Sequence, residues 1–289
     1  MNLVIIILFI LLVVFLINKK SSFKSDDIYN DISLNELSSK LYNGDEYDGY
    51  RLADVVFYPD YLTRKHKYST MSHLYKYPDT IGVEYIRRKY PILKKINSEN
   101  DFSKYQNEYS NFENSINSKI GSIKIDIDLL NEIIKEKSKE KEYFENDNTT
   151  LYLHVRVGDV LCKYPGKNHS SIYSKRGDTR WWESVMEYIK NNGITRVVII
   201  AGTHFKDCLM ESAEYLQEIK KKLTSEGLNV FYRIGNSPDD DLMFCRNAKH
   251  FITTGGGYGY FLGKIVELNG GNFVLNKKDT VRTDRALFG

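Results

Sequence analysis

Two segments of this sequence carry side chains whose types and spacing suit the handling of an anion. In HVRVGD, His154 to Asp159, an imidazole and a guanidinium alternate along an apolar run, so both would leave the same face of a strand. Lys163, Lys167, Lys175, Arg176 and Arg180 follow. A strand end, a glycine and converging cations suit a phosphate or diphosphate. The plainer alternative pairs Arg156 with Asp159 around Gly158 and buries His154 as a core residue. In ITTGGGYGYFLGKIVE, three consecutive glycines, Gly255, Gly256 and Gly257, separate a strand from a helix. There backbone N–H groups can approach an anion, and the helix N-terminus favours negative charge. The loop is not a dinucleotide fingerprint, because its sixth position would be Tyr260 or Leu262, nor a Walker A loop, because Ile265 follows Lys264. A tight turn without a ligand is the alternative here.

Between them lies NSPDDDLMFCRNAKHF, whose aspartates Asp239, Asp240 and Asp241 invite a metal reading. A helix start explains them more simply. Ser237 can cap, Pro238 suits the first turn, the acids complement the helix dipole, and Asp240 stands at the capping-box position. One of the three could still face a ligand cleft. Cys162, Cys208 and Cys245 are too far apart for a CxxC motif and are expected as buried or free thiols. Trp181 and Trp182 open another helix, with core packing of at least one expected.

These segments need elements to hold them. After residue 150, short apolar runs (LYLHV, TRVVIIAG, NVFYRI, KHFITT, NFVLN) alternate with amphipathic stretches near 180–192, 207–225, 239–247 and 258–268. Alternating strands and helices imply a parallel sheet covered on both faces, a Rossmann-like α/β domain over 148–289. Ligands of such sheets bind beyond the C-terminal strand ends, so the segments after Val155, Ala201, Ile234 and Thr254 are where function is expected. Residues 51–147 read as a smaller, helix-rich N-terminal lobe: ADVVFYP is one short strand, PDTIGVEYIRRKYPILKKI is helical until Pro91, and IDLLNEIIKEKSKEKEYFEN is a charged amphipathic helix. Residues 21–50 are polar without a sustained period and are expected as a stalk.

Residues 1–20 are expected as a membrane anchor. Leu3 to Ile17 is an unbroken apolar run of 15 residues, roughly 22 Å long as a helix, against a hydrocarbon core of about 30 Å. No basic residue precedes it and no small-x-small cleavage site follows, which favours an uncleaved single-pass anchor over a signal peptide. Lys19 and Lys20 on its C-terminal flank argue for a cytosolic globular part, whereas a lumenal enzyme would carry them on the other flank. The sequons at Asn148 and Asn168 do not decide between the two.

Composition narrows the classes further. The 289 residues are 42% hydrophobic and 27% charged, with 19 Gly and 5 Pro, which excludes wholesale disorder, collagen and a polytopic membrane protein. A balance of 41 Lys+Arg against 38 Asp+Glu gives no strong field for nucleic acid. Of 12 arginines, 8 lie after residue 150, where the candidate anion site is.

Taken in order, HVRVGD and then DDDLMFCRNAKHFITTGGGYG resemble the nucleotide-sugar domain of fucosyltransferase-like glycosyltransferases of the GT-B fold, over roughly residues 151–275. In that family an HxRxxD-like element ends a strand, and its arginine contacts the donor diphosphate; the matching position is Arg156. Val157 replaces a frequent second arginine, and Gly255 to Gly257 replace most of the hydroxyls of the family's phosphate loop. The resemblance implies a membrane-anchored enzyme that transfers fucose or a related sugar, with inversion and without a metal or other cofactor, from a GDP-sugar to a glycan or protein hydroxyl. The donor-binding residues it implies are His154, Arg156, Asp240, Asp241, Thr253, Thr254, Gly255, Gly256, Gly257 and Tyr258. Catalysis would fall to Arg156 and to Asp159 or a residue of the N-terminal lobe as general base. The departures motivate a second expectation, a non-catalytic glycan- or protein-binding protein on a degenerate glycosyltransferase fold.

Overall fold

Along Thr150–His154 (β2) side chains point alternately to the two faces of a sheet, and both faces are apolar, so the strand must be covered twice. Leu151 and Leu153 enter one buried cluster and Tyr152 the other. The structure is a computed structural model and describes residues 28–42, 74–117, 125–138, 147–161, 179–203 and 206–274. The anchor Leu3–Ile17, the expected strand ADVVFYP and the cations from Lys163 to Arg176 lie outside the described residues. Among the described residues no helix is long and apolar enough to cross a membrane.

The sheet has six strands: Ile28–Tyr29 (β1), β2, Arg196–Ala201 (β3), Asn229–Ile234 (β4), His250–Thr253 (β5) and Asn272–Val274 (β6). Their spatial order is β1-β4-β3-β2-β5-β6, parallel throughout except that β1 pairs antiparallel with β4. From β2 the chain steps outward one way through β3 and β4, then returns to the other side of β2 with β5 and β6. The order therefore reverses between β2 and β5, and at such a point the crossover segments diverge and leave a crevice beyond the strand ends.

One face is covered by Leu34–Lys40 (α1), Thr179–Asn191 (α6) and Leu209–Ser225 (α7), which bury Leu37, Trp182, Val185, Ile189, Leu216 and Leu223 against the sheet. On the other lie Ile81–Lys89 (α2), Gln106–Asn117 (α4), which follows Glu99–Lys104 (α3) in the chain, Ile127–Lys137 (α5), Pro238–Cys245 (α8) and Gly257–Leu268 (α9). Ile81, Tyr85 and Ile86 of α2 and Leu130, Ile133 and Ile134 of α5 share one buried cluster with Tyr152, Val198, Ile200, Phe251 and the helices α8 and α9. Arg88 of α2 ties the pair together from outside, bonding Glu84 at 2.6 Å and Glu136 of α5 at 2.7 Å.

Two expectations are corrected. Residues 28–42 are not a stalk: β1 pairs with β4, α1 is capped by Ser33 and buries Leu37, and Thr203 N donates to Leu41 O at 2.9 Å. A two-residue strand and a helix with few apolar positions carry too little periodicity to be read, and they are held by what lies beneath them. Cys208 is not a thiol but is disulfide-bonded, a proximity created by folding and invisible to spacing. Cys245 is buried and free, with burial raising its pKa, and Cys162 lies outside the described residues.

The end of β4 is tied to α8 by a buried ion pair, Arg233 Nε to Asp241 Oδ1 at 3.0 Å, with the guanidinium 4.4 Å from the Phe244 ring centroid. Breaking such a pair strands a charge away from water. Asp241→Ala is expected to lower unfolding free energy by about 3 to 5 kcal/mol, read as a fall in urea midpoint at constant slope; a loss below about 1 kcal/mol, the level of an exposed pair, would contradict this role.

Candidate functional site

The candidate site lies where β2 and β5 end side by side. His154 faces Thr253 in register. Beyond the last pair the chains stay joined: Thr254 N donates to His154 O at 3.0 Å, and Arg156 N donates to Thr254 Oγ1 at 3.0 Å. Each strand thus fixes where the other turns away. HVRVGD then bends through a short 3-10 turn, Gly158–Val160, with Gly158 N donating to Ser212 Oγ at 3.1 Å. Ser212 in turn donates to Cys208 O at 2.6 Å, so the start of α7 anchors this turn.

The glycine loop needs its glycines. Gly255 and Gly256 have φ of 129° and 89°, conformations that a β-carbon strongly disfavours. A Cβ on Gly256 would also stand 2.8 Å from Arg156 Cδ, so the Arg156 side chain lies against the bare backbone of the loop. Gly259, one turn into α9, makes room of another kind: a Cβ there would collide with Thr253 Oγ1 and His154 Nδ1. The first turn of α9 is therefore pressed onto the His154–Thr253 pair. That role was not read from the sequence, where Gly259 is one more glycine in GGGYG.

Three helix N-termini meet around this point, and each deals differently with its exposed N–H groups. At α8, Ser237 Oγ accepts from Asp240 N at 3.0 Å and donates to Asp240 Oδ2 at 2.8 Å, the expected cap. The start of α2 receives its carboxylate from elsewhere, as Ile81 N donates to Asp239 Oδ2 at 2.6 Å across 158 residues. At α9, Gly256 offers no side chain, and the first turn holds no acidic residue. Tyr258 joins α9 to α8 by donating to Pro238 O at 2.7 Å, and its ring meets that of His154 edge-on with centroids 5.7 Å apart.

The sequence-derived site residues thus divide. His154, Arg156, Thr253, Thr254, Gly255, Gly256, Gly257 and Tyr258 are brought together at the switch point. Asp240 lies beside them at the α8 cap, and Asp241 turns inward to Arg233. The backbone of Asp159 belongs to the Gly158–Val160 turn, and its side chain lies outside the described residues. No group of three or more His, Cys, Asp or Glu able to hold a metal ion occurs among the described residues. Asp239 and Ser212, which position the neighbouring elements, were missed as positioning residues; their partners are too distant in sequence to signal it. No family model, curated protein or solved structure matches the chain.

Burial and the Arg156 charge lower the His154 pKa from its ordinary 6.5 to about 4, so the imidazole is neutral in the folded protein at neutral pH. A group whose folded pKa is depressed below its unfolded value binds its proton more readily when unfolded, so acid favours unfolding. The stability it contributes is full above pH 6.5 and is lost as pH falls towards 4. Burial lowers the pKa of His250 as well, with the same sign. Between pH 8 and pH 5 the His154 share is about 2 kcal/mol, and urea titrations of the wild type and His154→Gln should show the variant with a flatter pH dependence by that amount. Equal slopes would contradict a neutral, buried His154.

Proposed function

We propose that this protein is a glycosyltransferase whose switch-point crevice holds the diphosphate of a nucleotide-sugar donor. The observation that carries the reading is the placement of the Arg156 side chain against Gly256, at the start of a helix with no side-chain cap and no acid in its first turn. A guanidinium and a helix N-terminus are both positive, and both attract an anion. The donor identity, a GDP-sugar carrying fucose or a related sugar, rests on the resemblance of HVRVGD and DDDLMFCRNAKHFITTGGGYG to fucosyltransferase-like enzymes.

In this reading an acceptor hydroxyl of a glycan or protein attacks the anomeric carbon from the side opposite the diphosphate. The bond from that carbon to the diphosphate oxygen breaks, with inversion, and the hydroxyl proton passes to a general base, Asp159 or a residue of the N-terminal segment. Arg156 and the loop N–H groups stabilise the charge that develops on the leaving diphosphate, which lowers the barrier because that charge is largest in the transition state and product. Asp240, at the α8 cap, is the residue that would meet the ribose or base. The proposal needs no metal to neutralise the leaving group, since Arg156 and the helix dipole supply positive charge. The segment Leu3–Ile17 would hold the enzyme at a membrane.

A second reading, a glycan- or protein-binding module without transfer, is favoured by Val157 at the family's second arginine and by the packing of α2 and α5 into the sheet's own core. Ligand-induced stabilisation separates the two. With GDP, UDP, CDP and GDP-fucose in turn, the thermal midpoint of the protein is expected to rise with the guanine nucleotides alone. Arg156→Ala should keep the unliganded midpoint within about 2 °C, as a partly buried arginine outside the apolar core allows, and lose the GDP response. No shift with any nucleotide would move the assignment to the binding module.

A further inference from the structure

The hydroxyl of Thr253 has three polar neighbours and a single proton to give. His154 Nδ1 is 3.0 Å away, Gly255 N donates to the oxygen from 3.1 Å, and Gly255 O is 3.3 Å away. With the Gly255 N–H already donating, the proton goes either to His154 Nδ1 or to the carbonyl of Gly255. The first contact is the shorter, and the second closes a cramped ring only two residues along the chain. Giving the proton to the carbonyl would require His154 to carry its own hydrogen on Nδ1, and Oγ1 would then accept two N–H groups while donating weakly.

The rest of the imidazole is fixed by its surroundings. Gly259 backs the Nδ1 and Cε1 edge, and Tyr258 meets the ring edge-on. Nε2 makes no hydrogen bond among the described residues, which leaves its side of the ring for a ligand. A neutral imidazole has one N–H, and the partner of one nitrogen decides what the other can do. From the Thr253 geometry we infer that the Thr253 hydroxyl donates to His154 Nδ1 and thereby holds the ring as the Nε2–H tautomer, a neutral hydrogen-bond donor aimed at an anionic oxygen in the crevice. Thr253 is then a positioning residue acting through His154. The inference rests on the proposed diphosphate site for the identity of the acceptor oxygen, but not for the tautomer.

This arrangement has a chemical consequence. His154 adds a donor to the anion site without adding charge, and burial beside Arg156 keeps it uncharged through the physiological range. It discriminates by position and leaves charge balance to Arg156.

Two-bond proton–nitrogen NMR correlation on the full chain with 15N-labelled histidine reads the tautomer directly, with His154→Gln assigning the signals. The wild type is expected to show His154 with its proton on Nε2 before any ligand is added. In Thr253→Val the signal should move towards the Nδ1–H form, since the lone pair of Nδ1 has lost its donor, and Thr253→Ser should restore it. GDP affinity should follow the tautomer, falling about tenfold in the valine variant, the size of one hydrogen bond to a charged group, and recovering with serine. An Nδ1–H ring in the wild type overturns the inference, even if GDP binds tightly. An Nε2–H ring that shifts in Thr253→Val, in a protein that binds no GDP, upholds the Thr253 role and counts against the nucleotide assignment, whereas an Nε2–H ring unmoved by that substitution overturns the role. If the valine variant fails to fold, the wild-type spectrum alone still decides the tautomer.

Discussion

The arrangement depends on one junction, the place where two strands 99 residues apart in sequence stop pairing with each other. His154 and Thr253 close the ladder between β2 and β5, and the two bonds beyond it, from Thr254 N to His154 O and from Arg156 N to Thr254 Oγ1, hold the departing chains together before they separate. Everything proposed for the site hangs from those atoms. Arg156 can lie on Gly256 because its backbone is tied to Thr254, and His154 can present one nitrogen because Thr253 holds the other. The strand order reverses at this junction, the place where sheets of this kind bind ligands.

Electrostatics then distinguishes three helix starts that geometry alone would make equivalent. The chain supplies a carboxylate to α2 from Asp239 and to α8 from Asp240, while α9 begins on bare glycine backbone with a cationic side chain laid across it. A carboxylate thus stands at two of the three starts, and the third carries Arg156 against its glycine backbone. The same logic explains the aspartate run. Asp239 reaches the Ile81 N–H of α2, Asp240 accepts from the Ser237 hydroxyl, and Asp241 pairs with the Arg233 guanidinium, so three adjacent acids serve three different kinds of donor.

Much of this frame was legible in the residues themselves. The apolar runs from Leu151, Val197, Val230, Phe251 and Phe273 mark β2 to β6, because the inner strands are covered on both faces and carry few polar positions to blur the signal. Ser237 and Pro238 mark the start of α8, and the glycines mark the loop before α9. The order of the strands was not legible, and with it the neighbour of His154, since nothing in a strand's own sequence says which other strand it will lie beside. The same limit hid the places of Ile28–Tyr29 and α1, the disulfide at Cys208 and the long-range cap from Asp239. Asp241 illustrates it within a short span: Arg233 lies 8 residues away, and only the turn between β4 and α8 brings the two together.

The most direct test of the account is a crystal structure of the protein soaked with GDP. The account predicts diphosphate oxygens within hydrogen-bond distance of the Arg156 guanidinium, His154 Nε2 and the backbone N–H groups that begin α9. A diphosphate bound elsewhere, with the crevice between β2 and β5 empty, would contradict it.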